Sequence, residues 1–283
     1  MCSSTSFTSS VTGNAGALNL NVGYFPSVPW HPNYCDRHAW PVNLVRCESS
    51  GVRELIERGQ LDATPMAIPD WFELEGRWKR LANWGISFRG LAGSVVFFSN
   101  VPMSQLDGAD IDVCYETTTS VRVLQAIMKK KYGLRIGRWS RNLDVDNGTK
   151  PRLLIQDQAV EERKRGRFRY EYDLGREWFG WIGTPIVSAV WAYRANLDPS
   201  AVAVLEGLLK VSMERYRMDP LAAIGSRHAE HGLPASIEEI KVLHQNFEYA
   251  LSDEAELGIV RMRELLEPRI EGFEARQEAE IPL

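Results

Sequence analysis

The sequence lacks the residue patterns that mark the commonest chemistries. Its 283 residues hold four cysteines, Cys2, Cys35, Cys47 and Cys114, widely spaced and without a CxxC pair. They read as reduced thiols rather than a disulfide framework. Histidine is scarce, at five residues. His31, Cys35 and His38 lie close together, but a fourth ligand is missing and prolines break the segment, so no metal is expected. No P-loop, no GxGxxG after a strand and no GxSxG elbow occur, which argues against the common nucleotide and serine-triad chemistries. Long apolar runs are also absent, so no membrane span is expected. The first 22 residues show neither a basic n-region nor a continuous apolar h-region, so they are not a secretory signal, and the expected location is cytoplasmic. Charge of one sign is not in excess: the formal net charge is -4. The one basic run (Arg163, Lys164, Arg165, Arg167, Arg169) is interleaved with Glu161, Glu162 and Glu171 and reads as solvated surface. Neither nucleic acid nor membrane is an expected partner.

What is present is an ordinary globular composition, 44% hydrophobic and 25% charged, in a chain long enough for one large domain or two lobes. Residues 1–17 are rich in Ser and Thr and read as a disordered leader. Leu18–Val22 alternates apolar and polar as a strand does. Pro26, Pro29 and Pro32 then argue against regular structure. A strand within Trp40–Cys47, a short helix over Val52–Arg58 capped by Ser49 or Ser50 and stopped by Gly59, and a strand within Leu61–Ile68 give a βαβ rhythm. That rhythm implies a partly parallel sheet. Leu91–Ser99 is a strong strand by its β-branched and aromatic content. Val121, Leu124, Ile127 and Met128 share one helical face, with Thr118 or Thr119 as N-cap and Gly133 as terminator. After Arg194 the chain reads as helical, with helices over Ala201–Arg217, from Ser236 with a capping-box partner at Glu239, and over Glu254–Leu266.

The candidate site residues gather at element ends. Thr117, Thr118, Thr119 and Ser120 bring four hydroxyls to one helix start, where free N–H groups and the helix dipole favour a carboxylate or phosphate; ordinary capping needs only one of them. Ser94 lies in an apolar strand, where a backbone hydrogen bond is the simpler role. Asp157 ends the buried Leu153–Ile155 strand and either serves in proton transfer or caps the following helix. The aromatic, glycine-rich stretch from Trp178 to Pro185 is expected to be a loop that either stacks on a planar ligand or packs between lobes. Strand ends beside such a loop are how α/β proteins build small-molecule clefts.

These residues carry a resemblance. VGY (22–24), ERGQLDATPM (57–66), GSVVFFSNVPM (93–103), TTTSVRVLQ (117–125), LLIQDQAV (153–160) and DLGREW with GTPIVSAVW (173–191) occur in the order of a known family. The chain resembles the chorismate dehydratases and their relatives of the futalosine route to menaquinone. The resemblance spans about residues 18–200. It implies an α/β clamshell of the periplasmic-binding-protein type (type II), with two lobes of mixed sheets and a C-terminal helical segment. Lobe one is expected at 18–101 plus 190–283 and lobe two at 102–189. It also implies removal of water from chorismate, or a related small carboxylate, without metal or redox cofactor, by a monomer or homodimer. On this reading Asp157, Ser94 and His31 are the catalytic candidates. Thr118, Thr119, Ser120, Trp181, Gly183, Thr184 and Ser27 are the substrate-binding candidates. The sequence departs from the family pattern at the cleft. PSVPWHPNY stands where the family carries a catalytic Asn, Gln156 stands in place of a usual Gly, and IGTPI replaces TGLPF.

Overall fold

The computed structural model describes residues 18–114, 117–141, 150–231, 235–267 and 270, with only the backbone of Arg227, Glu230 and His231. The expected leader, residues 1–17, lies outside the described residues. Alternating strand and helix signals build a first set of elements: β1 (Asn21–Tyr24), β2 (Asn43–Arg46), α1 (Val52–Glu57), β3 (Ala63–Ala67), α2 (Ile68–Leu74) and β4 (Trp78–Phe88). A second set follows: β5 (Val95–Ser99), β6 (Ile111–Val113), α3 (Thr119–Ala126), β7 (Trp139–Ser140), β8 (Arg152–Ile155), α4 (Gln156–Arg165), β9 (Tyr170–Asp173) and α5 (Leu174–Ile182). The chain then returns through β10 (Ile186–Arg194), α6 (Pro199–Met218), α7 (Pro220–His231), α8 (Ile237–His244), β11 (Phe247–Ala250) and α9 (Asp253–Leu265).

Two mixed sheets result. One has the order β11-β4-β10-β3-β1-β2, the other β7-β6-β8-β5-β9. β1 pairs in parallel with β2 and β3, whereas β10 runs antiparallel between β3 and β4. A strand in that central position is covered on both faces, which explains the nearly continuous apolar run of Ile186–Ala192. Trp178 and Trp191 are fully buried and anchor the core.

Strand pairing moves the lobe boundaries away from those read in the sequence. Val95–Ser99, expected in the first lobe, pairs with β8 and β9 in the five-stranded sheet. Ile186–Val190, expected largely in the second lobe, belongs to the six-stranded sheet. The crossovers therefore lie near 89–94 and 183–185. Pairing between strands distant in sequence decides lobe membership, and local pattern carries no record of it.

Four local expectations also change. Trp178–Ile182 is the body of α5 rather than a loop: Asp173 caps the helix start, Leu174 and Trp178 bury one face, and Gly183 closes it at φ +79°. Val28–Tyr34 is a 3₁₀ helix despite its prolines, because Pro29 sits in the first turn, where an N–H is not needed. Phe247–Ala250 adds a strand within the C-terminal part read as helical, paired with β4. The cap of α1 is Gly51, not a serine.

The DLGREW segment holds the first crossover to the start of α5. The Asp173 carboxylate accepts the backbone N–H of Ala92 at 3.0 Å and of Gly93 at 2.7 Å, and that of Arg176 at 3.2 Å. Two residues on, Gly175 passes so close to the crossover that a Cβ there would stand 1.9 Å from the Gly90 carbonyl oxygen. Only glycine fits.

Candidate ligand cleft between the lobes

The cleft is built from the carboxyl ends of β1, β2 and β3, the edge of β10, and the starts of α3 and α4. It has two adjoining compartments that share Phe25, Ser49, Ile155 and Gln156. The inner one encloses about 690 Å³ including its open mouth. Its apolar walls include Phe25, Trp30, Phe88 and Phe247, and Ser94, Thr118, Ser120 and Ser188 are the hydroxyl residues that line it beside Thr119. The outer one encloses about 780 Å³ on the same basis and is lined by Ser27, Arg46, Glu48, Asp157 and Gln158.

The hydroxyls at the start of α3 are not used as a cap. Thr118 occupies the N-cap position, yet its hydroxyl makes no capping bond. The Thr119 hydroxyl is turned away, donating to the Ser188 carbonyl of the first lobe at 2.7 Å. Two hydroxyls, those of Thr118 and Ser120, thus join the unpaired first-turn amides at the cleft wall, where the helix dipole favours an anion. Ser94, buried just before β5, lines the same compartment.

Asp157 stands apart from this group. It lies in the first turn of α4, whose N-cap is Ile155, so it is not the cap that one reading allowed. It faces the outer compartment with Ser27. Burial, helped by the negative charge of Glu161, raises its pKa above the ordinary carboxylate value. Gln156 is the hinge of the partition between the compartments. It adopts φ +55°, a left-handed backbone that glycine enters freely and other residues enter at a cost, and its N–H donates to the Ser94 carbonyl at 2.7 Å.

The remaining candidates lie outside both compartments. His31 is buried beneath the cleft, its ring 6.3 Å from that of His244. Asn33, two residues on, is also in the core, accepting from the Trp191 indole at 3.3 Å. Trp181 packs edge-on against Trp178 at 5.8 Å, Gly183 ends α5, and Thr184 is buried. Their sequence signal reflected packing at the crossover, since α5 turns its aromatic face inward.

Other residues of the cleft have weak sequence signals or none. Ser188, like Ser94, is a lone hydroxyl in an apolar strand and could have been flagged on the same ground. Phe247 arrives on a strand more than fifty residues beyond β10. Pro29 and Trp30 are positioned by a buried network: His244 donates from Nε2 to the Val28 carbonyl and accepts from the Tyr216 hydroxyl, both at 2.8 Å, and Tyr249 donates to the Pro29 carbonyl at 2.9 Å. Burial depresses the His244 pKa to about 4, keeping the ring neutral and fixing this tautomer.

Contacts across the cleft hold the lobes together. Besides Thr119 to Ser188, the Arg122 guanidinium lies 3.9 Å from the Glu73 carboxylate on α2, and Lys164 on α4 pairs with Glu239 on α8 at 3.0 Å. Nearby Asp70 is pushed up to about 6 by burial, an effect that Arg122 and Arg53 oppose.

Two mixed-sheet lobes joined by two crossovers, with the cleft at strand ends and helix starts, define a protein of the periplasmic-binding-protein fold. Solved structures agree. Protein AF1704 from Archaeoglobus fulgidus matches with a TM-score of 0.73 at 14% identity, over 87% of this chain and 96% of that one. The CA3427 gene product of Candida albicans, described as having the generic periplasmic binding protein fold, matches at 0.60 and 12% identity over 88% and 92%. The aliphatic sulphonate binding protein SsuA from Escherichia coli matches at 0.61 and 11% identity over 93% and 96%. At these identities the likeness concerns the fold. The family is narrower: residues 20–268 match the menaquinone biosynthesis family, and the chain belongs to it. Among the described residues no helix is long and apolar enough to cross a membrane.

Proposed function

We propose that the chain is a cofactor-free lyase of the chorismate dehydratase type, eliminating water from chorismate or a related carboxylate. The observation that carries this reading is the start of α3, where Thr118 and Ser120 present uncommitted hydroxyls, beside free amides, to an otherwise apolar compartment containing Ser94. A carboxylate held there leaves the rest of a ring against Phe25, Trp30, Phe88 and Phe247. Elimination then removes a C–H proton and breaks a C–O bond, with the departing hydroxyl leaving as water. Asp157, its carboxyl kept more basic by burial, lines the adjoining compartment next to Gln156 and is the proton-transfer candidate of this reading.

Incubation of the pure protein with chorismate tests the reading by the absorbance of an aromatic product. Thr118→Val with Ser120→Ala is expected to weaken carboxylate binding at least tenfold, or about 1.4 kcal/mol. No turnover, and no effect of the double substitution, would refute it. A second reading, an elimination or cyclisation on a different carboxylate, is favoured by Gln156, whose side chain sits on the wall where relatives usually have none. A ligand bound and never consumed would instead support a non-catalytic small-carboxylate binder.

A further inference from the structure

The outer compartment is not used by the carboxylate seat at α3, and its chemistry is of a different kind. It lies at the carboxyl ends of the parallel strands β1 and β2, the position at which open α/β sheets bind ligands. Facing those ends is the first turn of α4. Its N-cap, Ile155, has no side chain able to accept a hydrogen bond; the Gln156 amide is taken by the Ser94 carbonyl, and the next two amides of the turn, those of Asp157 and Gln158, are left to water or to a ligand. The Ser27 hydroxyl lines the compartment as well, its oxygen buried and without a hydrogen-bond partner. A buried hydroxyl left unpaired costs stability, which a ligand would restore.

Arg46 supplies the charge. It ends β2, lines the compartment and makes no ion pair among the described residues, whereas Arg53, Arg58, Arg80, Arg163, Arg194 and Arg215 each have a carboxylate partner. Two carboxylates oppose it. Glu48 is exposed at the mouth, and Asp157, through burial, holds its proton to higher pH than an ordinary aspartate.

We propose that the outer compartment is a second anion subsite, with Arg46 as its counter-ion and the Ser27 hydroxyl and first-turn amides of α4 as donors. The ligand is then a dianion whose two acid groups are held at the starts of α3 and α4, with its body passing Gln156. This rests on the carboxylate seat proposed above, and it assigns Arg46 to selection between substrates rather than to the reaction. Arg46 is a binding residue here, and it is separable from folding because it is exposed and makes no ion pair among the described residues.

The test is calorimetric titration of the full chain with benzoate, benzene-1,3-dicarboxylate and heptanedioate at low salt. The wild type is expected to bind at least one dicarboxylate tenfold or more tighter than benzoate. Arg46→Gln should abolish that preference while changing benzoate affinity less than twofold. Glu48→Gln, which removes an opposing charge, should tighten the dicarboxylate several-fold. Dicarboxylate binding unchanged in Arg46→Gln would overturn the proposal. So would an equal loss for benzoate and the dicarboxylates, which would mean that Arg46 acts on the cleft as a whole. Benzoate binding that survives while every dicarboxylate binds no better removes the second subsite alone. Failure of all three acids to bind removes the α3 seat together with it.

Discussion

Replacing Asp173 should cost the protein more stability than its position at a strand end suggests. Its carboxylate is 9% exposed and accepts three backbone N–H groups, two from the first crossover and one from the start of α5. Hydrogen bonds to a charged group contribute about 1.5 kcal/mol each at the lower end of the measured range, so Asp173→Ala should cost about 4 kcal/mol. That is a large part of a domain's total of about 5–15 kcal/mol. Asp173→Asn discriminates the cause. The amide can keep one oxygen for Ala92 and Arg176, which share Oδ1, but it turns an NH₂ towards the Gly93 N–H, which now bonds Oδ2. One bond is lost and two donors face each other, a cost of about 2 kcal/mol. Urea unfolding at pH 7.5, read by tryptophan fluorescence, gives both numbers. An alanine variant within 1 kcal/mol of wild type, or an asparagine variant no better than alanine, would refute the claim that this carboxylate ties the first crossover to the start of α5.

Three further outcomes follow from the same structure. His244 is held neutral in the fold with its pKa near 4, against 6.5 for the ordinary side chain. The unfolded chain therefore binds a proton that the folded chain refuses, and the stability this represents is full above pH 6.5 and is lost as pH falls towards 4. Between pH 7.5 and 5 it amounts to about 2 kcal/mol, so His244→Gln should flatten the wild-type loss by about that much in urea unfolding; identical pH slopes would count against it. Gln156→Gly should raise stability by about 1 kcal/mol by relieving the left-handed backbone at φ +55°, and a fall in the urea midpoint would show that the side chain contributes more than its strain costs. Thr119→Val should cost about 1 kcal/mol by stranding the Ser188 carbonyl, while Ser120→Ala should stay within about 0.5 kcal/mol, and equal effects of the two in the same assay would contradict the different roles given to these neighbours.

Much of the fold was legible because it is local. The apolar spacing of Val121, Leu124, Ile127 and Met128, the Ser236–Glu239 capping box and the β-branched run before Ser99 each describe an element through residues three or four apart. The hydroxyl cluster at Thr118–Ser120 was legible as one group at a helix start for the same reason, since a helix start and its side chains are contiguous. Trp181 and Thr184 misled because an aromatic, glycine-rich segment has the same composition whether it is a loop on a ligand or a helix packed at a crossover. Asp157 was read as the end of a strand; it lies in the first turn of α4 and lines the outer compartment, apart from the hydroxyls of the inner one.

The sequence by itself determined the class of fold, several of its local elements and the family. Only the tertiary structure decided that β5 belongs to the second lobe, that Asp173 clasps the first crossover to the start of α5, and that Arg46 lines one compartment of the cleft and Ser94 the other. The physical reason is one of range. Helix and strand preferences are set by neighbours along the chain, whereas strand pairing, crossover contacts and cavity walls join groups tens of residues apart, and no short periodicity encodes which of them meet.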